Sequence, residues 1–211
     1  MDGVSNRMKI AISKGYAYQE DRSSPVVYAD EYYNKLLSYE DTDIEILITK
    51  HRVGLVEKYC KTTSVLDIGC GTGRFIKACA PLRVTMYGYD VMPKTVKMLK
   101  DKHIFIDPTI HIPDHIGAVC FWDSLEHMPD PGKVIDNIPK DCYVFISIPI
   151  FGDLSAITKS KHYRPNEHFW YFTCGGLVGF MKDRGLDWVS TTDGEIQAGR
   201  DSIYSFVFRK K

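Results

Sequence analysis

Residues 65–75 constrain this chain more than any other stretch. Val65-Leu66-Asp67-Ile68 has the pattern of an apolar strand, and it runs through Gly69-Cys70-Gly71-Thr72-Gly73 into a helical start at Arg74-Phe75. Glycines at alternate positions let the backbone turn tightly with no Cβ in the way, so a ligand can lie against bare peptide at the carboxyl end of a strand. A dinucleotide fingerprint, G-x-G-x-x-G, places its third glycine one residue later and needs a pyrophosphate above the helix start. Arg74 fills that later place, and the carboxylate of Asp67 repels a pyrophosphate while suiting a cationic group.

Strand and helix patterns alternate around this turn. Ile44, Leu47, Ile48, Leu55 and Val56 recur at helical spacing and predict a helix over 42–59. A helix over 73–80 follows, then a strand over 84–89 ending at Asp90, a helix over 93–100 opened by Pro93, and a short strand over 104–106 closing at Asp107. Residues 108–117 carry little helix signal. Beyond them lie a strand over 118–122, a helix over 131–138 and an unbroken apolar strand of central type over 143–149. A helix over 175–184 stops at Gly185, and strands over 186–191 and 203–209 form a terminal antiparallel hairpin. The fold class is α/β, with a mostly parallel sheet and helices on both faces. Residues 1–40 are rich in tyrosine and form an extension packed over the domain or a lid with aromatic faces; the domain itself covers 41–211.

In order and spacing, the segments from about residue 44 to the end resemble the class I S-adenosylmethionine-dependent methyltransferases, with residues 65–75 similar to their motif I. Glu126-His127-Met128-Pro129-Asp130-Pro131 and His168-Phe169-Trp170-Tyr171-Phe172-Thr173 are similar to segments of the type 11 and type 23 methyltransferase groups. The resemblance implies a Rossmann-like seven-stranded sheet and S-adenosyl-L-methionine as cofactor. Its contacts would then be Asp67, Gly69, Cys70, Gly71, Gly73, Asp90, Val91, Asp107, Trp122 and Asp123. Asp67 would meet the amino group, and Asp90, at a strand tip, both ribose hydroxyls. Asp107 would meet the adenine amino group or stand as a plain turn aspartate before Pro108.

A second constellation, Phe121 to Pro131, begins where the fourth strand ends, at the switch point where doubly wound sheets bind ligands. A helical turn starting at Asp123 sets Asp123, Glu126 and His127 at i, i+3 and i+4 on one face. Three readings stay open. Asp123, Glu126, His127 and His168 hold Mg2+ or Mn2+, which orients a hydroxyl and lowers its pKa. Alternatively, His127 is a general base without metal, because imidazole titrates near neutrality. In the third reading Glu126 and His127 only brace the loop. The D-x-x-E-H pattern is similar to the E-x-x-E-H of metal-dependent O-methyltransferases of ubiquinone biosynthesis and of small-RNA 3′-end methylation, with His168 matching their further histidine; Asp123 for Glu shortens one arm. The catalytic candidates are His127, Glu126 and His168. Residues 161–172 are expected to form a polar, aromatic loop over the acceptor, unless Phe169, Trp170 and Phe172 are core.

Composition narrows the partners. Lys plus Arg and Asp plus Glu both number 27, so no global field gathers polyanions, nucleic acid is not favoured, and Arg209-Lys210-Lys211 is expected to be a solvated tail. Six cysteines without C-x-x-C spacing indicate a reducing compartment, and the longest apolar run, 143–151, is too short to span a bilayer. A soluble, cytoplasmic protein with no membrane partner is expected. Neither an [N/D/S]-P-P-[Y/F/W] turn nor a Pro-Cys nucleophile follows the fourth strand, which argues against base methylation by those routes. The expected activity is O-methylation of a small-molecule or sugar acceptor. An RNA 2′-O-methyltransferase and a non-catalytic S-adenosylmethionine-binding subunit are the alternatives, and a homodimer through the tyrosine-rich segment stays open.

Overall fold

The computed structural model describes residues 8–20, 26–61 and 63–211. Its centre is a six-stranded sheet built from β3 (Ser64–Ile68), β4 (Thr85–Tyr89), β5 (Ala118–Trp122), β6 (Tyr143–Pro149), β8 (Leu186–Thr192) and β9 (Ile203–Lys210). The order is β4-β3-β5-β6-β9-β8; the first four strands run parallel, and β9 is antiparallel to both its neighbours. The strand order reverses at β3 and β5, so their carboxyl ends flank a natural crevice.

Alternation along the strands separates two cores. Leu66, Ile68, Val119, Phe121, Val144 and Ile146 pack on one face with Val134 and Ile135 of α5 (Pro131–Asp136) and Leu177, Phe180 and Met181 of α6 (Cys174–Lys182). Val65, Ala118, Cys120, Trp122 and Phe145 pack on the other with Leu55 and Val56 of α2 (Asp43–Tyr59) and Phe75 of α3 (Arg74–Ala78). Strands buried on both faces read as continuous apolar runs, and β5 and β6 are written that way. Thr42 caps α2 by accepting the Glu45 N–H, and Asp130 and Thr173 cap α5 and α6 in the same manner.

Four segments depart from the sequence-based expectation. Residues 104–106, expected as a strand, make a single parallel bridge, Gly88 to Phe105, at the β4 edge beyond α4 (Pro93–Asp101). Trp170–Phe172, expected within a loop, is a strand, β7, which pairs with β2 (Tyr16–Gln19); β2 in turn pairs with β1 (Met8–Ala11) in a small antiparallel sheet. The hairpin connection before β9 carries a short helix, α7 (Gly194–Gln197). The terminal cations are engaged: Arg209 pairs with Asp141, Lys211 with Asp187, and Lys210 Nζ donates to the carbonyls of Ile135 and Arg184. Among the described residues no helix is long and apolar enough to cross a membrane.

Candidate functional site

A cavity of about 680 Å³ opens at the carboxyl ends of β3, β4 and β5. Asp67, Gly69, Cys70, Gly71, Asp90, Val91, Trp122, Asp123, Glu126, His127 and His168 all line it. Gly73 and Asp107 are not among the lining residues. Gly73 caps α3 in the left-handed region, close to the Met98 side chain. One Asp107 oxygen accepts both the Thr109 N–H and its hydroxyl, so Asp107 closes a turn and Thr109 reaches the cavity in its place.

The glycine turn uses its amides internally. The N–H groups of Gly69 and Cys70 donate to the Tyr89 carbonyl, Gly71 N–H to Asp90, and Gly73 N–H to the Cys70 carbonyl. These engaged donors do not form the open anion cradle that a pyrophosphate requires. Gly69 has φ +80° and lies so close to Ser124 that a Cβ would sit 2.4 Å from the serine Cβ; Ser124 Oγ donates to the Ile68 carbonyl at 2.6 Å. The turn is thereby locked to the end of β5. Asp90 accepts from Gly71 N–H at 2.8 Å and Met92 N–H at 2.9 Å, which holds its carboxylate at the cavity wall with lone pairs to spare. Burial raises its pKa, against the pull of those amides.

Among the described residues, six buried side-chain polar atoms lack a hydrogen-bond partner, and four of them belong to cavity-lining residues: Asp67 Oδ1, Trp122 Nε1, Asp123 Oδ1 and Glu126 Oε2. Buried polar groups are costly to leave unpaired, so their concentration in one cavity marks a place built for a polar ligand. Three are carboxyl oxygens, which call for a ligand carrying donors. Burial lifts the Asp67 carboxyl to about 7, with Arg52 opposing and Asp90 adding.

Asp123 does not join the cluster expected of it. It adopts φ +55°, outside a right-handed helical turn, and only Leu125–His127 form a 3-10 turn. Its Oδ2 accepts from Arg52 at 2.6 Å and Arg200 at 2.7 Å. Burial alone would raise this carboxyl, yet Arg200 and Arg52 hold it well below the usual carboxylate range. The same two arginines grip Glu195 of α7, which is fully buried and also accepts from Ser147 Oγ at 2.6 Å. As a metal ligand Asp123 is therefore withdrawn: two guanidinium groups already claim it. Arg52, Arg200 and Glu195 escaped the sequence reading because Arg52 and Glu195 lie 143 positions apart. One sign was available, since Arg52 interrupts the buried α2 stripe Ile48, Leu55, Val56 at i+4 from Ile48.

Glu126, His127 and His168 do come together, with potential ligand atoms all within 4.8 Å of one another. The backbone explains how. Phe169 N–H donates to the Glu126 carbonyl and Trp170 Nε1 to the Met128 carbonyl, stapling the start of β7 onto the 3-10 turn. Phe169 and Phe172 are core, whereas His168 faces His127 edge to face at 4.6 Å between centroids. His127 Nδ1 lies 2.9 Å from the Glu167 carbonyl and 3.0 Å from the Tyr28 hydroxyl. A carbonyl only accepts, so Nδ1 carries the hydrogen and Nε2 keeps a free lone pair. Burial lowers the pKa of His127, and burial with help from His127 and Arg164 lowers His168 to about 3. Glu126 is pushed well above its ordinary value by burial and then by Asp123. Both imidazoles are uncharged near neutrality, so His127 and His168 can each accept a proton or a cation.

A further wall comes from the tyrosine-rich segment for which the sequence left two readings open, an extension packed over the domain or an aromatic lid. It is formed by α1 (Asp30–Tyr39) and the residues before it: Tyr28, Tyr32, Leu36 and Tyr39 line the cavity, and Leu36 approaches Gly71. Glu40 accepts from Thr72 Oγ1.

A family model described as a methyltransferase domain, type 23, matches residues 19–191. The chain belongs to the class I S-adenosylmethionine-dependent methyltransferases. Solved structures agree with this fold. Magnesium protoporphyrin IX methyltransferase from Synechocystis, with bound S-adenosylhomocysteine, is 14% identical and covers 87% of this chain and 96% of its own, at a TM-score of 0.63. The [4+2]-cyclase SpnF is 15% identical over 77% of this chain and 79% of its own, at 0.58. The 1,6-didemethyltoxoflavin-N1-methyltransferase from Burkholderia thailandensis is 14% identical over 93% and 96%, at 0.59. No curated protein matches by sequence. The features of this methyltransferase's cavity, namely its volume, the glycine turn, Asp90 at the β4 tip and the unpaired carboxyl oxygens, fit an adenosyl ligand with a cationic amino group.

Proposed function

We propose that this methyltransferase moves a methyl group to a hydroxyl of a small molecule or sugar. The observation that carries the reading is the presence, within one cavity, of the unpaired Asp67 and Asp123 oxygens and the Glu126, His127 and His168 trio. Asp67 and Asp123 would hold the amino group, Asp90 the ribose hydroxyls, and Gly69, Cys70, Gly71, Val91 and Trp122 the surrounding wall. When bound, S-adenosylmethionine supplies a methyl group on a sulfonium. The protein's share is to align the acceptor oxygen with that methyl and to remove one proton. His127 Nε2, with its hydrogen fixed on Nδ1, takes the hydroxyl proton, and neutral His168 stands beside it edge to face. Residues 26–40, including Tyr28 and Tyr32, act as a lid over this arrangement; residues 1–7 and 21–25 of the extension lie outside the described residues. The small-molecule acceptors named for the porphyrin and toxoflavin enzymes agree with that scale of substrate.

The compact trio also supports a metal-assisted version, in which Glu126, His127 and His168 hold a divalent ion beside the acceptor. Two imidazoles with one carboxylate suit Mn2+ better than the oxygen-preferring Mg2+. Radiolabelled methyl transfer into pools of hydroxyl-bearing metabolites tests both versions. H127A and H168A should each lower turnover about a hundredfold. Loss of turnover in chelator, restored by Mn2+, selects the metal version; full turnover in excess chelator removes it. Wild-type turnover in both variants would refute the role of the trio.

A further inference from the structure

At His162 and Arg164 the cavity adjoins a smaller pocket of about 260 Å³, walled by Lys161, His162, Arg164, Arg200 and Asp201 among others. His162, Arg164, Arg200 and Ile203 belong to both walls, so the two spaces meet there. Basic side chains dominate this arm. Arg200 is committed to Asp123 and Glu195. Lys161 and Arg164 are held more loosely, by Asp201 at 3.1 Å and Glu167 at 3.2 Å, with the lysine and arginine side chains 63% and 54% exposed. Ion pairs so open to water bind weakly and can exchange partners.

Arg164 nonetheless lines both spaces, beside the path of a ligand reaching the trio. Its carbonyl accepts the N–H groups of Glu167 and His168, which anchors it one turn from His168, and its charge helps to lower the pKa of His168 and of His127. His162 Nε2 donates to the Asp201 carbonyl at 2.9 Å, tying the Lys161–Arg164 loop to the loop before β9.

We infer that this arm receives an anionic oxygen group of the acceptor, a phosphate or a carboxylate, on Arg164 and Lys161 while the acceptor's hydroxyl lies at Glu126, His127 and His168. The inference rests on the reading of the trio as the acceptor end. A guanidinium takes two anionic oxygens side by side, and a lysine adds a mobile point charge. The substrate class is therefore a hydroxyl-bearing phosphate ester or carboxylic acid, rather than a neutral apolar alcohol.

The full chain, with and without S-adenosylhomocysteine, is titrated with inorganic phosphate and separately with acetate, following the Arg164 side-chain N–H resonance. A saturable shift is expected with at least one anion, weakened about fivefold or more in K161Q. In R164Q the backbone amides of residues 161–168 should lose their response, while S-adenosylhomocysteine affinity changes less than about twofold. Whichever anion binds more tightly identifies the group. Equal responses in wild type and both variants would mean an adventitious ion only, and absence of saturation would equally overturn the inference. Failure of S-adenosylhomocysteine to bind, with the anion response intact, would sink the cofactor reading and leave the anionic arm standing.

Discussion

Asp67 sits in β3 with one carboxyl oxygen buried and unpartnered, and its pKa stands near 7 against an ordinary 3.8. The folded state holds this proton more tightly than the unfolded chain, so the group's contribution to stability is full below pH 3.8 and is lost as pH rises through 7. An ammonium group placed on Asp67 reverses the preference and expels the proton. Calorimetry of S-adenosylmethionine binding at pH 6, in two buffers of different ionisation enthalpy, should therefore show release of most of a proton, and D67N should abolish it. Buffer-independent enthalpies would contradict the contact. His168 works in the opposite direction. Its pKa of about 3 lies below the ordinary 6.5, so the unfolded chain takes a proton first as pH falls, and stability drops between those values. Urea titrations should find this loss to be roughly 3 kcal/mol by pH 4, and smaller in H168Q. An acid limb unchanged in H168Q would show that His168 is not held neutral by burial.

At the scale of elements, β5 and β6 match their expected spans because burial on both faces writes an uninterrupted apolar run into each. β7 and α7 were not legible. The three residues of β7 owe their strand form to pairing with β2, and the four of α7 are held by what Glu195 meets across the fold. A local pattern cannot encode such partners. The α7 connection has a structural duty that mutation exposes: E195Q leaves Arg52 and Arg200 facing Asp123 alone and should cost about 3 kcal/mol, read as a lower urea midpoint. A change below about 1 kcal/mol would show the network to be dispensable. Helix α1 is the contrasting case, with no buried residue although its inner side covers the glycine turn. Its amides should exchange hydrogen faster than those of α2 and gain protection with S-adenosylhomocysteine. Equal exchange with and without it would argue against a lid.

Across the whole molecule, the six strands of the central sheet and the place of the crevice were readable from one glycine turn and the alternation around it. The cavity wall formed by β3, β4 and β5 was largely readable too, because these strands end there and each carries its own marker near its tip: Asp67, Asp90 and Asp123. The remainder of the lining was only partly so. Glu126 and His127 announced themselves by adjacency, but Tyr28, Arg164 and Arg200 arrive from segments whose folding depends on contacts far along the chain. Asp123 illustrates the limit, since its distance from Glu126 in sequence says nothing of two arginines that turn it away. The most direct test of the central claim is a crystal structure grown with S-adenosylhomocysteine. The account predicts the ribose on Asp90, the amino group within hydrogen-bond reach of Asp67 Oδ1, and the sulfur facing the trio. A ligand bound elsewhere, or a cavity closed by its own side chains, would contradict it.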